Sequence, residues 1–377
     1  MRKISDTIAR LARLRAQQDP SIPGFETSGR LLDLGAFGSN PGMLKARFHV
    51  AKNLPDGAPL VVVLHGCTQN AAGYDHGSGW SQLADEAGFA VLYPEQQRAN
   101  NPNLCFNWFH PAHARRGSGE ALSIRQMIET MVLDRGLDRQ RIFVTGLSAG
   151  GAMAAVMLAT YPEVFAGGGI IAGLPYGVAS TVPEAFDRMR GHGGPTGQGL
   201  QQILRSASTH DGPWPRISIW QGSADHTVAA SNAEAIAAQW RAAHGLGNAP
   251  THSSSDRGRT RQVWRNPTGQ ALIEVNMLAG MGHGTPIGGD GLGAAGPFML
   301  DVGISSTREI GRFWNITGFD REGASMKPVS AEGQGPRSAG NENARTMEPV
   351  AGRHTASTPS KVQKIIEDAL RSAGLMR

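Results

Sequence analysis

The sequence predicts an α/β fold, with a mostly parallel central sheet, helices on both faces and a small lid-like insertion. Two observations carry this prediction. Short continuous apolar runs such as Leu60–Leu64 (LVVVL) read as strands buried on both faces. Segments of helical periodicity alternate with them between about residues 43 and 316. The 377-residue length suffices for one large domain or two ordinary ones, and at 40% apolar the chain is too hydrophobic for disorder throughout.

The elements follow in order. Leu60–Leu64 is a strand and Trp80–Ala87 a helix. Phe89–Tyr93 is a second buried strand, stopped by Pro94. Ala121–Leu133 carries Ile124, Met127, Ile128 and Met131 at helical spacing. Arg141–Thr145 (RIFVT) is a strand, and Ala149–Tyr161 a helix ended by Pro162. Ile217–Trp220 and Leu272–Met277 are strands, each followed at a distance by a helix, Ala229–Ala243 and Ser306–Trp314. Residues 174–214, rich in glycine and proline with a helical patch, separate two strands and read as a lid or cap. The 50 glycines gather in runs (Gly66, Gly73–Gly79, Gly146–Gly151, Gly167–Gly169, Gly191–Gly199, Gly280–Gly296) that read as tight turns or close backbone approaches. No Gly-X-Y period makes them collagen.

Domain organisation divides the chain into four parts. Residues 1–40 hold a basic amphipathic helix and a lead-in, with Ile4, Ile8, Leu11 and Leu14 on one face among Arg2, Lys3, Arg10, Arg13 and Arg15. Residues 41–317 form the α/β domain. Residues 318–359 read as a flexible linker, and 360–377 as a short helix with an apolar stripe of Val362, Ile365, Ile366, Ala369 and Leu370. No run approaches the 18 to 20 apolar residues of a membrane span. A net charge of +5 over this length is not the footprint of a nucleic-acid binder. The N-terminus lacks a secretory h-region, which favours the cytoplasm, where Cys67 and Cys105 default to free thiols. Two cysteines exclude a four-cysteine zinc site, and no His/Asp/Glu pair shows ligand spacing beside a third, so neither metal nor organic cofactor is expected.

The chemistry centres on Gly146-Leu147-Ser148-Ala149-Gly150, a G-x-S-x-G between a β-branched strand and an Ala- and Met-rich helix. That is the strand–turn–helix setting of a nucleophile elbow. A serine hydroxyl needs a base and an acid that orients it. On this architecture they follow in the order Ser, Asp/Glu, His. Asp225, in QGSAD just beyond a strand end, fits the acid better than Asp187, Asp211, Asp256 or Asp290. His283, in GMGHG after the last strand, fits the base better than His226, His244 or His252. Oxyanion donors are expected at the N–H of Ala149, at a helix N-terminus, and of Cys67, in the loop directly after LVVVL.

Together these residues resemble the esterases of the polyhydroxybutyrate depolymerase type, within the α/β-hydrolases. The resemblance covers about residues 40 to 315. It rests on LHGCTQN at 64–70, CFNWF at 105–109, GLSAGGAM at 146–153, QGSADHTV at 221–228 with Asn232, and GMGHGTPI at 280–287. It implies Ser148 as nucleophile, His283 as base and Asp225 as its partner, with oxyanion donors at Cys67 and Ala149. It also implies Trp108 and Asn107, in the Asn107-Trp108-Phe109 segment, as substrate-binding residues, with Trp108 as an aromatic of the cleft, and a disulfide between Cys67 and Cys105 as in secreted relatives. The expected activity is hydrolysis of short-chain hydroxyalkanoate esters, as polymer or oligomer, through an acyl-enzyme on Ser148. The alternatives are a feruloyl- or acetyl-xylan-type esterase, a peptidase or acyl-transferring relative, and a protein that docks on a polymer granule through its terminal helices.

Overall fold

The computed structural model describes residues 29–317. The expected N-terminal helix, the 318–359 linker and the 360–377 helix lie outside the described residues. The chain divides after Ile316, and the unit ending there carries the fold.

Strands β1 (Leu32–Asp33) and β2 (Lys45–Val50) lead in. Then come β3 (Leu60–Leu64), α1 (Ala71–Ser78), α2 (Trp80–Ala87), β4 (Ala90–Glu95), α3 (Gly119–Arg135), β5 (Ile142–Leu147), α4 (Ala149–Thr160) and β6 (Gly167–Ile171). Helices α5 (Val182–Met189) and α6 (Gln198–Ser206) occupy the insertion. The sheet is completed by β7 (Arg216–Gly222), the hairpin β8 (His252–Asp256) and β9 (Arg259–Arg265), and β10 (Ala271–Leu278), with α7 (Ser231–His244) between β7 and β8. The short pair β11 (Thr285–Ile287) and β12 (Met299–Asp301) precedes α8 (Ser306–Phe313).

The main sheet runs β1-β2-β4-β3-β5-β6-β7-β10-β9-β8. Its centre, from β4 to β10, is parallel. Antiparallel pairs close both edges, β1-β2-β4 on one side and β10-β9-β8 on the other. Alternation along each strand divides the core in two. Leu60, Val62 and Leu64 of β3 join Val144, Ile170 and Ile219 on one face, with Met127 of α3, Met153 of α4 and Trp240 of α7. Val61 and Val63 join Phe143 and Trp220 on the other, with Tyr74 of α1, Leu83 of α2 and Ile310 of α8. Both faces of the central strands are thus withdrawn from water, which is why β3 is continuously apolar and the others are rich in apolar residues on both faces. Each such large side chain contributes roughly 1.5–3 kcal/mol relative to exposure.

Several elements differ from the sequence expectation. The run Gly167–Gly169 is not a turn but the first part of β6. A Cβ on Gly168 would lie 2.3 Å from Leu158 Cδ1 of α4, and one on Gly169 would lie 2.9 Å from Thr145 Oγ1. Glycine lets α4 and α8 settle against the strand. The run Gly73–Gly79 is likewise mostly helix α1, started by Asn70, whose side chain accepts from Gly73 N–H at 2.8 Å. Strand β4 runs through Pro94, which pairs with β2 only, beyond the end of the ladder with β3. The edge strands β1, β2, β8 and β9 were not expected.

The insertion is docked rather than free. The Gln239 amide of α7 accepts from Tyr176 N–H at 2.9 Å and donates to Tyr176 O and Leu200 O at 3.0 and 3.2 Å. Asn232 Nδ2 donates to Arg188 O and Met189 O at 3.0 and 3.3 Å. Leu200 and Leu204 of α6 are buried in the core.

Candidate active site

Four loops at the carboxyl ends of parallel strands meet at one edge of the sheet: those after β3, β5, β7 and β10. This is where an open α/β sheet collects a site. Ser148 ends β5 and starts α4. Its backbone lies at φ 57° and ψ −117°, in the positive-φ region where a non-glycine residue is strained. The strain holds because the turn is gripped. Ser148 N–H donates to Ile171 O at 2.9 Å and Ser148 O accepts from Ala152 N–H at 2.8 Å. Gly150 makes room, since a Cβ there would lie 2.3 Å from Leu64 O. Among the described residues Ser148 Oγ makes no hydrogen bond. Catalytic contacts of this kind commonly tighten only with substrate in place.

Asp225 and His283 meet. His283 Nδ1 donates to Asp225 Oδ2 at 2.7 Å, with the Asp225 side chain fully buried. Gln221 Nε2 donates to the same oxygen at 3.0 Å, while Oδ1 accepts from Thr227 and Val228 N–H at 2.9 and 2.8 Å. Four donors therefore fix the carboxyl's rotation. The proton on His283 Nδ1 leaves Nε2 as the basic nitrogen. The acid and base loops are stitched together by Ser223 N–H to Leu278 O at 2.9 Å, Ala224 N–H to Met281 O at 3.0 Å, and Gly280 N–H to Ser223 Oγ at 2.9 Å. Gly222 permits that approach, because a Cβ would meet Met281 O at 2.2 Å. The half-buried Phe298, at φ 62°, sets its ring edge-on to His283 with centroids 6.2 Å apart.

In the loop after β3, three amides are committed. Gly66 N–H donates to Gln69 Oε1 at 2.8 Å, Thr68 N–H to Asn103 O at 2.7 Å, and Gln69 N–H to Gly66 O at 3.3 Å. Among the described residues Cys67 N–H, between the committed amides of Gly66 and Thr68, has no acceptor. Ala149 N–H, in the first turn of α4, also lacks an intrahelical one. These are the two amides expected to face an oxyanion.

Cys67 and Cys105 are joined as a disulfide, with Cα atoms 4.3 Å apart. The default expectation of free thiols is therefore corrected: it rested on compartment, whereas the fold brings the loop after β3 against the 101–109 segment. Trp108 is 7% exposed and packs edge-on to the half-buried Phe109, with ring centroids 5.4 Å apart. Asn107 donates its N–H and Nδ2 to Glu120 and accepts from Asn101 Nδ2. Its amide thus holds the segment from within. Sequence reasoning did not single out Gln221, Phe298 or Glu120. Gln221 stood inside a motif without a role of its own. Nothing in the sequence distinguishes Glu120 from an ordinary acid in a helix's first turn. Among the described residues no group of three or more His, Cys, Asp or Glu side chains is placed to hold a metal ion, and no helix is long and apolar enough to cross a membrane.

A serine on a strained elbow, a histidine oriented by a buried aspartate and a pair of uncommitted amides define a carboxylic ester hydrolase of the α/β-hydrolase fold. The chain belongs to the esterase PHB depolymerase family, whose model matches residues 49–263. It is 45% identical over 293 residues to poly(3-hydroxyalkanoate) depolymerase C of Paucimonas lemoignei, across 76% of this chain and 70% of that protein. An acetylxylan esterase of Coprinopsis cinerea is 30% identical over 279 residues, 72% of each chain. The solved structure of an acetyl xylan esterase from Aspergillus awamori matches 77% of this chain and 100% of that one, with a TM-score of 0.66 at 24% identity. That last likeness shows the fold.

Proposed function

We propose that this chain hydrolyses esters of short-chain hydroxyalkanoates, as polymer or oligomer, through an acyl-enzyme on Ser148. His283 Nε2 takes the proton of Ser148 Oγ as that oxygen attacks the ester carbonyl. The N–H groups of Cys67 and Ala149 receive the developing oxyanion. His283 then protonates the leaving alcohol, and the base regenerated in that step activates the water that releases the acid. Asp225 keeps His283 in the required tautomer and stabilises its cation. The observation that carries the reading is the Asp225–His283 hydrogen bond, on loops that leave the same carboxyl edge of the sheet as the strained Ser148 turn. The choice of substrate is supported by the depolymerase relative.

A second reading, deacetylation of a polysaccharide, is favoured by the related acetylxylan esterases. The two separate in one assay of the protein and its Ser148→Ala variant on p-nitrophenyl acetate through octanoate, amorphous polyhydroxybutyrate and acetylated xylan. The depolymerase reading expects short esters and polymer to be cleaved, with both activities lost in the variant. Release of acetate from xylan with the polymer untouched would shift the substrate to the second reading. We also propose that the terminal segments anchor the protein on polymer granules. If a chain lacking residues 1–17 and 318–377 sediments with granules unchanged, those segments are not the anchor.

A further inference from the structure

Glu120 lies in the first turn of α3 with its side chain fully buried. It is not a helix cap, because its oxygens serve none of the helix amides. Oε1 accepts from Gln96 Nε2 at 2.7 Å and from Asn107 Nδ2 at 2.6 Å, and Oε2 accepts from Asn107 N–H at 2.8 Å. Among the described residues no Arg or Lys pairs with it; the His113 imidazole has Nδ1 at 3.7 Å, but burial and the neighbouring His110 disfavour its protonation. A buried carboxyl without a cation is costly. Such a group survives where its hydrogen bonds are needed elsewhere.

Those bonds lead to the site by two arms. Along the first, Gln96 N–H donates to His65 Nε2 at 3.1 Å, and His65 Nδ1 donates to Gly66 O at 2.8 Å. Gln96 Nε2 also reaches Cys105 O at 3.1 Å. Along the second, Asn107 Oδ1 accepts from Asn101 Nδ2 at 3.1 Å. Asn101 Oδ1 in turn accepts from Asn103 N–H at 3.0 Å and Cys105 N–H at 3.3 Å, and Asn103 O accepts from Thr68 N–H at 2.7 Å. The arms end on Gly66 and Thr68, the residues on either side of Cys67, whose sulfur is bonded to Cys105 between them.

We propose that Glu120 is a positioning residue: its carboxyl holds Gln96 and Asn107 so that the N–H of Cys67 stays aimed at the reacting carbonyl and the 105–109 segment stays beside it. The proposal rests on Cys67 N–H being an oxyanion donor, as argued above. Glu120 touches no reacting atom; it acts through the loops.

The test is steady-state hydrolysis of p-nitrophenyl acetate by full-length wild type, Glu120→Gln, Asn107→Ala and Ser148→Ala, with thermal melting of each. Glu120→Gln keeps the size of the side chain but turns one acceptor into a donor facing a donor. An oxyanion donor displaced by a fraction of an ångström lowers kcat on the order of 10- to 100-fold, with KM changed by less than about threefold. That split should appear at temperatures well below the variant's melting point, which a merely structural role would not produce. If Glu120→Gln does not fold, Asn107→Ala, which leaves the carboxyl in place, carries the same expectation of lowered kcat. A folded Glu120→Gln or Asn107→Ala enzyme with wild-type kcat overturns the proposal, as does a loss that tracks only the unfolded fraction. Wild-type turnover by Ser148→Ala would instead overturn the reading of the site itself, and this proposal with it.

Discussion

Ser148 shows what one residue contributes and what it costs. Its positive φ, at 57°, is a conformation worth about 1–3 kcal/mol of strain for a residue with a Cβ, and it lifts the hydroxyl off the sheet. In the proposed mechanism its base, His283, is held by Asp225. An Asp225→Asn variant leaves the shape intact but no longer enforces the Nδ1–H tautomer. Its kcat on a short ester should fall by about 10⁴-fold with melting nearly unchanged, measured on the purified variant. Glu120 makes a second prediction at this scale, through pH. Burial pushes its carboxyl from 4.5 up to about 7, and the hydrogen bonds from Asn107 and Gln96 only partly offset that. Between those two values the native chain keeps a proton that the unfolded chain has lost. The contribution of Glu120 to stability therefore falls as the pH rises from about 4.5 to about 7, by at most about 3 kcal/mol, and the loss is complete above that range. Because His244 acts in the opposite sense over part of this window, the Glu120 effect is read as the difference in urea-unfolding stability between wild type and Glu120→Gln, which should fall as the pH rises through it. A difference that stays constant with pH would remove Glu120 as the source.

Elements locate these residues, and some were easier to read than others. Strand β3 is a continuous apolar run and β5, β7 and β10 carry enough β-branched and large apolar residues, on faces that are both covered, for their ends, and with them the loops bearing Ser148, Asp225 and His283, to be placed from sequence. Strand β6 begins with three glycines, which read as a turn until the neighbouring Leu158 and Ile310 side chains are seen to need their missing Cβ atoms. Gly168→Ala should destabilise by about 1–3 kcal/mol through overpacking against Leu158, read as a lower urea midpoint. Strand β8 (HSSSD) is exposed along its whole length, so no hydrophobic pattern announces it. Helix α1 hides behind Gly73 and Gly77. The insertion's exit is clamped at the end of α7, where His244 Nε2 donates to Pro215 O at 3.0 Å. Burial pushes the His244 imidazole down from 6.5 to about 4. The unfolded chain therefore binds a proton that the native chain refuses, and stability falls as the pH drops from about 6.5 to about 4. The difference in stability between wild type and His244→Gln should therefore shrink as the pH drops through that range; a difference that does not change with pH would acquit His244.

At the scale of the whole molecule, a parallel sheet gathers four loops at one edge, and a disulfide and a buried polar frame lock two strand-distant segments of that edge together. The Asp225–His283 pair was legible because strand order dictates which loops bear its members. The frame was not, because Glu120, Gln96, His65, Asn101 and Asn107 are scattered in the sequence and carry no periodicity. The Cys67–Cys105 bond closes a loop of sequence separation 38. By the chain-entropy account, reduction should remove about 3–4 kcal/mol of stability. It should also lower turnover, since Cys67 bears the proposed oxyanion donor. Melting and ester hydrolysis with and without a thiol reductant check both effects. Reduced protein that melts and turns over like the oxidised form would contradict this account of the bond.

The central claim is that Ser148 is the nucleophile of an ester hydrolase. The most direct measurement is intact-mass and peptide mapping after treatment with a fluorophosphonate, which phosphonylates an activated serine and releases fluoride. The account predicts one adduct, on Ser148, with ester hydrolysis lost in step with labelling and neither adduct nor turnover in Ser148→Ala. An adduct elsewhere that accounts for the lost activity, or wild-type hydrolysis by Ser148→Ala, would contradict it.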